Sequence, residues 1–288
     1  MRKDLHEINR RAWNEATRAH NSHKADQARF LRSGGSTLFP EELELLGDVR
    51  HKRVLHLQCN AGQDTLSLVQ LGASVTGVDI SDEAIAFARR LSAESGIPAT
   101  FYRADLYDWL DEAVQRGATF DIVFSSYGFL VWLSDIDAWA RGIAAVLAPG
   151  GRFVMIEFHP FLMMLDDQGR TVAHSYGGGR LWSFDEGIGD YVAWAGAALT
   201  PSGYLEGVQN FRNPHPSHEF GWGVGDLISA LLEAGLRLET VREYPYANGF
   251  PAFEGTVALS GGRFAPPPDR PSLPMMLGLT ARKDVVQR

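Results

Sequence analysis

Between Lys52 and Phe158, short apolar runs alternate with stretches of helical periodicity, the pattern of successive βα units feeding a parallel sheet. Arg53–Leu57 reads as a buried strand. The residues from Asp64 to Leu71 carry apolar side chains at helical spacing, and Gly72 ends them. Ser74–Asp79 is the next strand. Ser81 is placed to cap a helix carrying Ala84, Ile85, Ala88 and Leu91. Ala99–Arg103 reads as a third strand and Phe120–Phe124 as a fourth. A helix over Ile136–Leu147 and a Pro149-Gly150-Gly151 turn lead into a fifth strand, Arg152–Phe158.

Beyond Phe158 the regularity lapses. Residues 160–222 are rich in Gly, Pro and aromatics, and alternate weakly near Tyr191–Trp194 and Leu205–Phe211. So many bulky apolar side chains point to an inserted lid rather than a linker. Leu227–Ala234 then predicts a helix, Leu236–Val241 a strand, 261–274 a proline-rich surface loop, and Met275–Ala281 a last strand. In the first 50 residues Trp13, Ala16 and His20 share a helical face. The organisation expected is a helical cap over 1–50, a ligand-binding core over 51–160, a lid over 161–222, and completion of the sheet over 223–288.

Composition narrows the function classes. The chain has 288 residues, 45% hydrophobic and 22% charged, enough to bury a core without staples. A single cysteine, Cys59, forbids an internal disulfide and fits a cytoplasmic protein. The N-terminus lacks an apolar signal core, and no apolar run reaches the roughly 18–20 residues of a membrane span, so no membrane partner is expected. With net charge −8 and no basic block, no nucleic-acid partner is expected either. His20 with His23, and His215 with His218, have the spacing of metal-ligand pairs. No carboxylate–histidine set with metal spacing joins them in the sequence, and no metal is expected.

The chemistry concentrates in Val54-Leu-His-Leu-Gln-Cys-Asn-Ala-Gly62, followed by Val78-Asp79-Ile80-Ser81. A buried strand running through a tight loop into a helix N-terminus presents backbone N–H groups to a ligand. An acid closing the second strand can accept the ribose hydroxyls of a nucleoside. The first run resembles motif I of the class I S-adenosylmethionine-dependent methyltransferases. Ala104-Asp105-Leu106, Phe120–Tyr127 and Leu147-Ala-Pro-Gly-Gly151 resemble that family's later motifs, in order. Three motif I positions differ: His56 stands for the acid, and Gln58 and Asn60 stand for glycines, whereas Gly62 is kept. Asn60 suits a left-handed conformation.

The resemblance implies a Rossmann-like α/β fold with a mostly parallel seven-stranded sheet and helices on both faces. It implies S-adenosyl-L-methionine as cofactor, held by Gln58, Asn60, Gly62, Asp79, Ile80, Asp105, Leu106 and Ser125. Strand alternation sends Glu157 and His159 to one side at the carboxyl end of the fifth strand, so His159 is the expected base, oriented by Glu157, with Tyr127 facing the acceptor. The aromatic lid suits a small, planar, mostly apolar acceptor, an indole or phenol as the first expectation. One rival is an NAD-dependent oxidoreductase, whose G-x-G-x-x-G fingerprint the glycine-poor 58–63 stretch does not meet. A second rival is a protein that binds the cofactor without turning it over. The acceptor atom and the oligomeric state are not legible.

Overall fold

A computed structural model describes residues 1–285. Seven strands form the central sheet: β1 (Arg53–Leu57), β2 (Ser74–Asp79), β3 (Thr100–Arg103), β4 (Phe120–Ser126), β5 (Leu147–Phe158), β6 (Leu236–Tyr244) and β7 (Met276–Lys283). Their order is β3-β2-β1-β4-β5-β7-β6. The first five run parallel, while β7 lies antiparallel between β5 and β6. Val54, Leu55 and Leu57 are fully buried, as a strand covered on both faces requires.

The helices are α1 (Lys3–Ser22), α2 (Gln27–Arg32), α3 (Pro40–Leu46), α4 (Gln63–Gln70), α5 (Asp82–Ser95), α6 (Leu106–Gln115), α7 (Ile136–Val146), α8 (Tyr191–Ala195) and α9 (Val224–Glu233). Their starts follow local chemistry: Ser81, Asp105 and Asp135 each accept a backbone N–H from the first turn of α5, α6 and α7. One core cluster joins α6, α7 and α9 to the sheet around Trp139 and Phe153. A second lies on the other face around Phe124, Leu46 and Ile156. Helices thus cover both faces, with the reversal of strand order between β1 and β4 where such folds bind ligands. None of the helices among the described residues is long and apolar enough to cross a membrane.

Several boundaries differ from expectation. The fifth strand begins at Leu147, not Arg152, because Leu147 already pairs with Phe120, and the Pro149–Gly151 segment bulges out before Arg152 pairs with Ile122. Leu106–Gln115 forms a helix that the sequence pattern above did not include. In the lid, Tyr191–Trp194 belongs to α8, and the residues from Leu205 to Phe211 form no strand. The lid's strands are Arg180–Phe184 and Ser217–Gly221, paired antiparallel. Within 261–274, Arg263–Ala265 joins Ala247–Asn248 and Val257–Leu259 in a small three-stranded sheet.

Candidate functional site

The loop after β1 is built from left-handed residues. Gln58, Asn60 and Gly62 have φ of 52°, 47° and 80°. Asn60 tolerates this by accepting the Ala61 N–H on its own Oδ1 at 2.6 Å. Gly62 is required twice over. Beyond its φ, a Cβ there would lie 2.7 Å from Ala88 Cβ and 2.9 Å from the Phe101 ring, so the loop packs flat onto α5 and β3. Gly62 shapes the loop and is not on the cavity wall.

Asp79 ties this loop to the end of β2. Its Oδ2 accepts the Asn60 N–H and its Oδ1 the Ser81 N–H, both at 2.8 Å. Burial pushes its carboxyl up to about 6 against those N–H groups. Asp105 caps α6 by accepting the Tyr107 N–H at 2.9 Å, and its Oδ2 lies 2.6 Å from His6 Nδ1. Burial works against it, but the bond and charge of His6 hold its carboxyl below the ordinary range. Ile80 and Leu106 complete this part of the wall.

These residues line one cavity of about 720 Å³ that continues under the lid and the N-terminal helices. Gln58 sits in its wall, donating from Nε2 to the Phe129 carbonyl at 3.1 Å. Its buried Oε1 has no donor among the described residues. Such an orphan acceptor calls for a ligand donor. His56, where the motif I resemblance leads to an acid, is buried with Nδ1 2.9 Å from Thr65 Oγ1. Burial drives its imidazole down to about 3, so the ring is neutral and offers no charge.

Of the residues expected to act on an acceptor, Tyr127 and Glu157 line the cavity. Tyr127 has φ 36°, and its hydroxyl accepts from Asn248 Nδ2 at 2.9 Å. Burial, then the charge of Glu42, hold this phenol well above its usual range, so it serves as a neutral hydrogen-bonding group. Glu157 accepts backbone N–H groups from Gly128, Leu130 (2.9 Å) and Phe158 (2.6 Å), clamping the loop after β4. Burial raises its carboxyl to about 7.

Besides Gly62, two expected site residues are not on the cavity wall. Ser125 is fully buried within β4, and the neighbouring Ser126 reaches the wall instead. His159 is directed away because β5 ends at Phe158 and alternation stops there. Its Nδ1 accepts the Phe161 N–H at 3.1 Å, so its Nε2 carries the proton and donates to Glu243 at 3.0 Å. Both ring nitrogens are thereby engaged in holding a turn, and Glu157 does not orient it.

The aromatic lid contributes Trp182, Tyr191, Trp194 and Trp222, facing Phe39, Phe158 and Phe250. Tyr176 and Tyr204 are not on the cavity wall: the Tyr176 hydroxyl accepts the Val224 N–H at 2.8 Å, and Tyr204 stacks on His23. Sequence reasoning missed Lys24, Asp64 and Glu219, which also line the wall. Only Asp64 carried a local signal, being next to the motif I run.

A profile described as a methyltransferase domain matches residues 54–151. A ubiquinone biosynthesis O-methyltransferase of Bordetella avium is 33% identical over 108 residues, covering 38% of this chain and 43% of that protein. A demethylmenaquinone methyltransferase of Thermus thermophilus is 36% identical over 111 residues, or 38% and 48%. The chain thus spans less than half the length of these relatives. A solved S-adenosylmethionine-dependent methyltransferase from Mesorhizobium loti superposes with a TM-score of 0.53 at 22% identity, over 86% of this chain and 99% of that one. Residues 54–151 therefore match a methyltransferase domain, and the fold around them is that of the S-adenosylmethionine-dependent methyltransferases.

Proposed function

We propose that the protein binds S-adenosyl-L-methionine and methylates a small molecule enclosed beneath the lid. The observation that carries this reading is the continuity of the cavity. One continuous space joins the loop after β1, Asp79 and the orphan Gln58 Oε1 to the aromatic lid. The residues present fit the cofactor: on this reading Asp79 accepts ribose hydroxyls, Ile80 and Leu106 flank the adenine, Asp105 meets its edge, and Gln58 Oε1 accepts from its ammonium. When bound, the cofactor supplies a methyl group on a sulfonium centre for in-line displacement by a nucleophile.

The chain's own share is placement and exclusion of water. Glu157 fixes Gly128 and Leu130, Tyr127 and Asn248 offer polar contacts, and the lid's aromatics bury the remainder of an acceptor. The wall favours a planar, mostly apolar ring, with a phenol or indole as the class to try first. The names of the two quinone-pathway relatives support a small-molecule acceptor of this kind. Incubation with methyl-labelled cofactor and a panel of phenols, indoles, amines and amino acids should label a ring acceptor first. Labelling confined to non-aromatic acceptors overturns the acceptor class. Cofactor binding without transfer to any small molecule overturns the enzyme reading.

A further inference from the structure

Two charged side chains of the cavity wall belong neither to the nucleoside cradle nor to the aromatic lid. Lys24 follows α1 and is pinned there by a backbone bridge to Tyr204. Among the described residues no carboxylate comes within 4.0 Å of its ammonium, which donates no hydrogen bond. Asp64 lies in the first turn of α4 and accepts from Thr37 Oγ1 at 2.5 Å. Lys24 and Asp64 feel each other's charge without touching. Burial pushes the Lys24 ammonium down to about 8 and the Asp64 carboxyl up, the mark of charges short of partners.

Hydrogen bonds tie both side chains to the cradle. Asn60 donates its N–H to Asp79 at 2.8 Å, and the same loop runs through Gly62 into the first turn of α4, where Asp64 sits. Gln63, next to Asp64, donates to Asn21 and Gln27, on either side of Lys24, at 3.1 and 2.8 Å. Asp79, Asp64 and Lys24 line one cavity. The orphan Gln58 Oε1 belongs to the same loop and cavity wall. Neutral His56 adds no charge to it.

We propose that Lys24 and Asp64 clamp the amino-acid end of the cofactor, Lys24 pairing with its carboxylate and Asp64, beside the Gln58 carbonyl, with its ammonium. The assignment rests on the cofactor reading above. A zwitterion is the ligand that satisfies both wall charges. An anionic acceptor would compensate Lys24 but meet Asp64 as a like charge, and a cation would meet the reverse.

Calorimetric titration tests this with four nucleosides: S-adenosylhomocysteine, S-adenosylmethionine, its decarboxylated form, and 5′-methylthioadenosine, which lacks the amino-acid end. The unaltered protein should bind S-adenosylmethionine about 10- to 100-fold tighter than the decarboxylated form, as loss of a charge-assisted contact implies. Lys24→Met should erase that preference and weaken S-adenosylhomocysteine by a similar factor. Its affinity for 5′-methylthioadenosine should stay within about twofold, since no contact to that ligand is lost. Asp64→Asn should behave in the same direction toward S-adenosylhomocysteine. Equal binding of the carboxylated and decarboxylated forms by the unaltered protein overturns the clamp, as does a Lys24→Met variant that loses 5′-methylthioadenosine equally. If the unaltered protein binds none of these nucleosides, the cofactor reading falls and the clamp with it.

Discussion

Single side chains in the cavity differ chiefly in how fully their charge or hydrogen-bonding capacity is met. Asp79 has two backbone donors and is still raised by burial, Gln58 keeps one acceptor unmet, and His56 is neutral. His159 is fully engaged outside the cavity, with one nitrogen on Phe161 and the other on Glu243, whose side chain is 59% exposed. His159→Ala should therefore leave methyl transfer within about twofold while destabilising the fold by about 1 kcal/mol through the lost turn contact. Parallel assays of turnover and denaturant midpoint check this; a large fall in turnover at unchanged stability would return His159 to the reaction. Asp79 was legible in the sequence because an acid closing a strand beside a tight loop is local information. His159 was misread because alternation holds only while the strand lasts. Lys24 carried no local signal, since its place depends on a bridge to Tyr204 far along the chain.

Among the elements, α1 holds the lid over the sheet. His23 Nε2 lies 2.8 Å from Asp190, the cap of α8. Asn9 exchanges hydrogen bonds with His218 in the lid's second strand, at 2.7 and 2.8 Å. Asn213, buried, donates to the Ala12 and Ile188 carbonyls at 2.9 and 3.1 Å. Asn213→Ala should cost about 1–3 kcal/mol, the penalty for stripping buried partners of their donor. It should also weaken cofactor binding, because the lid's seat on α1 loosens while the sheet is untouched. Denaturant unfolding and ligand titration of the same preparation measure both, and unchanged stability would show that the lid is seated without Asn213. The βα units were legible since each is set by its own periodicity and cap. The lid was not: its two strands pair across an intervening helix and alternate too weakly to stand out.

For the molecule as a whole, the sheet order reverses between β1 and β4, and the cavity opens there, between the cradle on one side and the lid on the other. The five parallel strands and the motif I loop were readable from sequence because they are built from contiguous signals. The enclosure of the cavity was not, because it comes from residues brought together by long-range packing of α1, the lid and the Ala247–Asn248 segment. The central claim is that this cavity holds a nucleoside cofactor through an ionised Asp79. Burial raises Asp79, so its carboxylate form, the ribose acceptor, is lost as pH falls through about 6. Titration calorimetry of S-adenosylhomocysteine and of NAD, at about pH 7.5 and again near pH 5, tests this most directly. The predicted result is one-to-one binding of S-adenosylhomocysteine, weaker by about tenfold at the lower pH as one proton must leave, and no binding of NAD. Binding of NAD in preference to S-adenosylhomocysteine, or S-adenosylhomocysteine affinity indifferent to pH across that range, would contradict it.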